Sequence, residues 1–127
     1  VEEAAIFWLL FLDKDESELS ILLTGDEEIH RLNQSYRQRD RPTDVLSFSQ
    51  REGDFPAPAA VLGEVVISIE TANRQALERG HPLEAEILEL LAHGLLHLLG
   101  YDHEISAAEH ERHLGKQAEI LAAFATR

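Results

Sequence analysis

The sequence predicts an α+β domain: a small mixed sheet packed with helices, with the most apolar helix at its centre. Three patterns lead there. Short runs rich in β-branched and aliphatic residues, Glu18–Thr24, Val45–Phe48 and Val61–Ile69, have the length and composition of strands. Helix-period segments with recognisable start and stop residues lie between and after them. The segment Leu83–Leu99 is apolar around most of its circumference, as befits a helix in the interior. At 127 residues, 44% of them apolar, the chain fits one domain, residues 1–127, and can bury a core without disulfides or a structural metal.

The elements follow in order. Ala4–Leu12 is an apolar run far short of the ~20 residues that span a bilayer, with no basic segment before it, and reads as a buried helix or strand. Glu18–Thr24 reads as a strand. Thr24 with Glu27 forms a capping-box pattern that opens a helix toward Tyr36. Arg37–Thr43, charged and carrying Pro42, reads as a loop before the Val45–Phe48 strand. Gln50–Ala60, with Gly53, Pro56 and Pro58, is the natural place for a flexible connection. After the Val61–Ile69 strand, Ser68 is placed to cap a helix through Arg79 that Gly80 ends. Pro82 suits the first turn of the Leu83–Leu99 helix, and Gly100 is placed to stop it. Ser106 with Glu109 opens a last amphipathic helix to about Phe124. There are no internal repeats, low-complexity tracts or linkers.

Composition narrows the chemistry. Without cysteine there is no disulfide framework, thiolate zinc site or cysteine nucleophile, so a transition metal must be held by His, Asp or Glu. The chain has no methionine, even at position 1, as expected of a sequence that begins inside, or after processing of, a longer product. The net charge of −13 would repel a polyanion on average. Five of the eleven basic residues nevertheless fall between Arg31 and Arg51 (Arg31, Arg37, Arg39, Arg41, Arg51), which gives an acidic protein a local basic surface.

Three of the seven histidines fall within eleven residues of the leucine-rich helix and its end. His93 and His97, four apart, project from one helix face and can reach one ion. After Gly100 turns the chain, His103 can fold back as a third ligand. Three nitrogens leave a fourth position for water, the arrangement of a catalytic zinc, which lowers the pKa of that water to ~7. A structural zinc would want a fourth protein ligand, which Asp102 could supply. The His-x3-His-x5-His spacing also belongs to metzincin proteases, but their general-base Glu follows the first His, and here that position is Gly94; their methionine turn is also impossible. His30, His81, His110 and His113 lack ligand spacing with these three, and His110 and His113 are expected to be solvated. Asp44 and Ser47, beside and on a strand, either face the cleft or form the turn.

The run His93–His103 (HGLLHLLGYDH) resembles the signature of the bacterial YbeY family of metal-dependent endoribonucleases, which act in ribosomal RNA maturation. Leu32–Phe48 (LNQSYRQRDRPTDVLSF) and Leu62–Ser68 (LGEVVIS) resemble that family's other two motifs, in the same order. Glu64 stands where the family usually has Asp, and Ser49 where it has proline. The resemblance implies a zinc-dependent, cytoplasmic, single-strand-specific endoribonuclease of ribosomal RNA maturation and ribosome quality control. Its partners would be single-stranded RNA, ribosomal RNA or the small ribosomal subunit, with neither DNA nor a membrane among them. His93, His97 and His103 would hold the metal. Arg37 would hold the scissile phosphate and offset its charge, where spacing alone equally allows a helix-terminal arginine that neutralises the dipole. Asp102, a further candidate catalytic residue, is by its position between Tyr101 and His103 an acceptor that fixes an imidazole, a helix-like cap or a proton acceptor. Arg39 and Arg41 are rim phosphate contacts or solvated charges. A metalloprotease-like hydrolase and a non-catalytic ribosome-assembly factor with a structural zinc are the alternatives.

Overall fold

The computed structural model describes residues 1–14, 18–49, 61–101 and 106–127. Its elements are α1 (Glu2–Phe11), β1 (Glu18–Thr24), α2 (Asp26–Arg37), β2 (Val45–Ser49), β3 (Val61–Ser68), α3 (Ile69–Arg79), α4 (Leu83–Leu98) and α5 (Ala107–Ala125). The sheet has the order β1-β3-β2, with β1 parallel and β2 antiparallel to β3. It is the small mixed sheet expected. The expected connection over residues 50–60 lies outside the described residues, as do Asp102 and His103.

The apolar run in β3 is explained by its central place, because both of its faces are covered. Val65 and Ile67 point into the main core with Leu91, Leu95 and Leu96 of α4, Trp8 of α1 and Ile120 of α5. Val66, on the opposite face, packs with Ile29 of α2 and Leu46 of β2. The Trp8 indole N–H donates to the Ile120 carbonyl at 2.8 Å, so the buried ring joins the first helix to the last with its polar atom satisfied. Gly63 sits at φ +144, where a Cβ would lie 2.0 Å from the Phe48 carbonyl oxygen; only glycine lets β2 approach β3 this closely.

Two of the three predicted caps form. The Ser68 hydroxyl accepts from the Thr71 amide, and that of Ser106 accepts from the Glu109 amide. The capping box expected at Thr24 and Glu27 does not form. Gly25 is the N-cap of α2, and the Asp26 amide donates instead to Glu70 of α3 at 2.8 Å. Thr24 is held in β1, paired in register with Ser68, and so is not available to cap. Asp26 repays the contact by accepting from the Ser68 and Thr71 hydroxyls at 2.5 and 2.6 Å and from Arg74 at 2.8 Å. Those donors hold its carboxyl down at about 2. Among the described residues no helix is long and apolar enough to cross a membrane.

Candidate functional site

Helix α4 crosses β2 and β3 so closely that one residue must be glycine. A Cβ on Gly94 would sit 2.8 Å from Val65 Cγ1 and 3.0 Å from Ser47 Oγ. The Ser47 hydroxyl donates to the Gly94 carbonyl at 3.1 Å. The position that carries the general base in the protease motif therefore has no room for any side chain here. The close approach brings His93 and His97, both half-buried, to the edge of β2.

A cavity of about 430 Å³ opens there, lined by His93 and His97 together with Arg37, Arg39 and Arg41; Asn33, Asp44 and Ser47 also line it. The arginines reach it through a chain reversal at the end of α2. Gln38 takes the left-handed conformation (φ 57), and its amide donates to the Gln34 carbonyl at 3.2 Å. The Arg39 amide then donates to the Asn33 carbonyl at 3.2 Å, and the Asn33 side-chain amide to the Arg41 carbonyl at 2.8 Å. Asn33 is 3% exposed, and it fixes the loop that carries the two outer arginines. Arg37 makes a short hydrogen bond to the Ser47 carbonyl and lies 5.2 Å from the Phe48 ring centroid, in cation–π contact.

Asp44 lines the cavity and shapes its floor. One carboxylate oxygen accepts from the Val45 amide at 2.8 Å, the other from Gln75 at 3.2 Å, while its carbonyl accepts from the Ser68 amide. Asp44 and Ser47 thus both line the cavity; Asp44 also bonds the neighbouring Val45 amide just before the strand, whereas Ser47 lies inside β2 and forms no turn. Of the rest of the basic segment, Arg31 pairs with Glu28 away from the cavity, and Arg51 lies outside the described residues.

Past α4 the chain turns as Gly100 suggested, with φ +100, and the Tyr101 amide donates to the Leu96 carbonyl at 3.0 Å. His113 departs from the solvated position expected of it. It is fully buried, its ring centroid 4.3 Å from that of His93, and its Nδ1–H donates to the Tyr101 carbonyl at 2.8 Å. His93 in turn meets Gln117 of α5, Nδ1 to Oε1, at 3.1 Å. His110 is exposed, as expected.

Asn33, His113 and Gln117 are the residues the sequence reading missed. His113, Gln117, Ile120 and Phe124 share one face of α5, so the period that marks Ile120 and Phe124 as apolar also marks His113 and Gln117 as inward-facing. Also unforeseen is a second group: the ligand atoms of His81, Glu86 and Glu89 lie within 4.8 Å of one another and could hold a metal ion. The Arg79 guanidinium already donates to both oxygens of the buried Glu86, at 2.5 and 2.8 Å, and to Glu89 at 3.3 Å. It supplies the positive charge this cluster needs.

Comparison with known proteins follows the same outline. The family model described as Endoribonuclease YbeY matches residues 5–125. An Endoribonuclease YbeY of Heliobacterium modesticaldum is 53% identical over 98 residues, 70% of this chain and 59% of that protein. One of Aquifex aeolicus is 47% identical over 112 residues, 88% of this chain and 73% of that protein. A chloroplastic relative in Arabidopsis thaliana is 51% identical over 82% of this chain but only 18% of its own length. The chain thus spans under two thirds of some of these relatives. The solution structure of a Thermotoga maritima protein superposes with a TM-score of 0.62 at 30% identity, covering 98% of this chain and 83% of that one.

Proposed function

The chain belongs to the YbeY family of endoribonucleases, and on that premise we propose that residues 1–127 form a single metal-dependent domain that hydrolyses single-stranded RNA in ribosomal RNA maturation and ribosome quality control. The observation that carries this reading is the cavity itself, which three arginines line together with two histidines spaced four apart on one helix. Three guanidinium groups beside a candidate metal site suit the repeating charges of a phosphodiester backbone.

His93, His97 and His103 would hold the metal, and neutral imidazoles without thiolates suit zinc. The residues described fit that role: His93 and His97 share a helix face, and His93 is bonded at Nδ1, which leaves Nε2 as the lone-pair nitrogen that a metal requires. Bound there, zinc would supply Lewis acidity toward a phosphoryl oxygen and lower the pKa of an attacking water.

The chain's own groups do the rest. Arg37, held by the Ser47 carbonyl and the Phe48 ring, is placed to bind the scissile phosphate and offset the charge that builds up on it. Arg39 and Arg41, on the loop secured by Asn33, would bind the neighbouring phosphates and set the path of the strand. Asp102 would orient an imidazole or accept a proton. The cytoplasm, the small ribosomal subunit and RNA rather than DNA belong to the same proposal.

The test is cleavage of a labelled single-stranded RNA, and of casein, by zinc-loaded protein, with His97→Ala and chelator controls. RNA cleavage lost in both controls supports the reading. Casein cleavage alone would revive a protease. Stoichiometric zinc with no cleavage of either substrate would leave a non-catalytic assembly factor.

A further inference from the structure

We propose that Gln117, on a helix that bears none of the candidate ligands, is a positioning residue for the metal centre: its side-chain oxygen fixes the tautomer and orientation of His93. The inference rests on the reading of His93 as a metal ligand and adds to it the group that prepares that ligand.

The geometry is specific. The Gln117 amide oxygen lies 3.1 Å from His93 Nδ1. A carbonyl oxygen can only accept, so Nδ1 carries the proton and Nε2 keeps its lone pair. One turn earlier on α5, the buried ring of His113 lies 4.3 Å from that of His93, tilted by 39°, and covers one side of it. His113 cannot easily turn away, because its own Nδ1–H is bonded to the Tyr101 carbonyl at 2.8 Å.

Helix α5 is anchored independently of the cavity. The fully buried Ile120, three residues beyond Gln117, accepts from the Trp8 indole at 2.8 Å, and Phe124 packs edge-on against Trp8 and Phe7. The position of Gln117 is therefore imposed by the core. An imidazole held at one nitrogen by a fixed acceptor loses the competing tautomer and much of its ring rotation before any ion arrives. Removing such a partner typically weakens metal affinity about 10–100-fold.

The role is read twice. Long-range ¹H–¹⁵N spectra of the metal-free protein give the His93 tautomer, and competition with a zinc chelator gives the affinity, for wild type, Gln117→Leu and Gln117→Glu. Wild type and Gln117→Glu, which keeps an acceptor oxygen, should show His93 protonated at Nδ1 and bind zinc within about threefold of each other. Gln117→Leu should show mixed tautomers and bind about 10–100-fold more weakly, with its circular-dichroism spectrum unchanged because the site is only half-buried. A wild-type His93 protonated at Nε2 overturns the proposal, as does a Gln117→Leu protein that keeps wild-type affinity. If Gln117→Leu fails to fold, the wild-type tautomer and the Gln117→Glu affinity still decide it. Failure of the metal reading looks different: the wild type itself then binds no zinc.

Discussion

Gly94→Ala is the most informative single substitution in α4, because two physical effects of opposite sign meet there. In an exposed helix interior, Gly to Ala stabilises by about 1 kcal/mol through backbone entropy and helix propensity. Here the added methyl group would arrive 2.8 and 3.2 Å from the two Cγ atoms of Val65 and 3.0 Å from Ser47 Oγ. Val65 is fully buried on the central strand, and its β-branched side chain is stiff at χ1. Helix α4 must therefore lift from the sheet by a few tenths of an ångström. Overpacking costs about 1–3 kcal/mol, and contacts at 2.8 and 3.0 Å put this site in the upper part of that range, about 2–3 kcal/mol; less the ~1 kcal/mol propensity gain, the net expectation is a loss of about 1–2 kcal/mol, or roughly 3–8 °C in Tm. The lift also carries His93 and His97 away from Arg37 and Ser47, and RNA cleavage should fall by about tenfold even where the protein is fully folded. Urea denaturation with circular-dichroism detection, and turnover measured well below the midpoint, separate the two effects. A Gly94→Ala protein as stable as wild type, or more so, would show that helix propensity outweighs the contact and would refute the account of why this position excludes side chains.

Arg37→Ala should lower cleavage at least about 100-fold while changing stability by under about 1 kcal/mol; unchanged turnover would remove Arg37 from the site. RNA affinity should fall with salt along a slope near −2, about −0.7 for each of the three cavity arginines, and each of Arg39→Ala and Arg41→Ala should flatten it by about 0.7, measured by fluorescence anisotropy over a salt series. Asp26 is depressed in the folded state, so its contribution is present above about pH 4 and is lost as pH falls toward 2. Asp26→Ala should cost on the order of 1–2 kcal/mol at pH 7 and little at pH 2; an equal loss at both would show that the interaction is not electrostatic.

How far the sequence could be read depended on how local each determinant is. Ser68 and Ser106 cap the helices they precede, and each bond closes within three residues, so composition and spacing sufficed. Thr24 offered the same pattern and failed, because the α2 amide was claimed by Glu70, a residue 44 positions away that only the pairing of β1 with β3 brings near. The histidine pair on α4 was legible for the same reason as the caps, since four residues make one helix turn. Its setting was not. That Arg37 would be held by Ser47, or the Arg39–Arg41 loop by Asn33, depends on how α2 settles on the sheet.

His113 marks the boundary most sharply. The residues just before it on α5, Glu111 and Arg112, are charged, and composition alone assigns it to solvent. Its position seven residues before Ile120 assigns it to the core. Periodicity should outweigh local polarity here, because the Tyr101 carbonyl accepts from the Nδ1–H of the buried ring and so offsets part of the cost of burying it. The stop at Gly100 that frees the chain after α4 also places that carbonyl where His113 needs it. The turn after the histidine helix and the burial of His113 are thus one structural decision, and a substitution that disturbs Tyr101 should be felt at His93 through the ring packed against it.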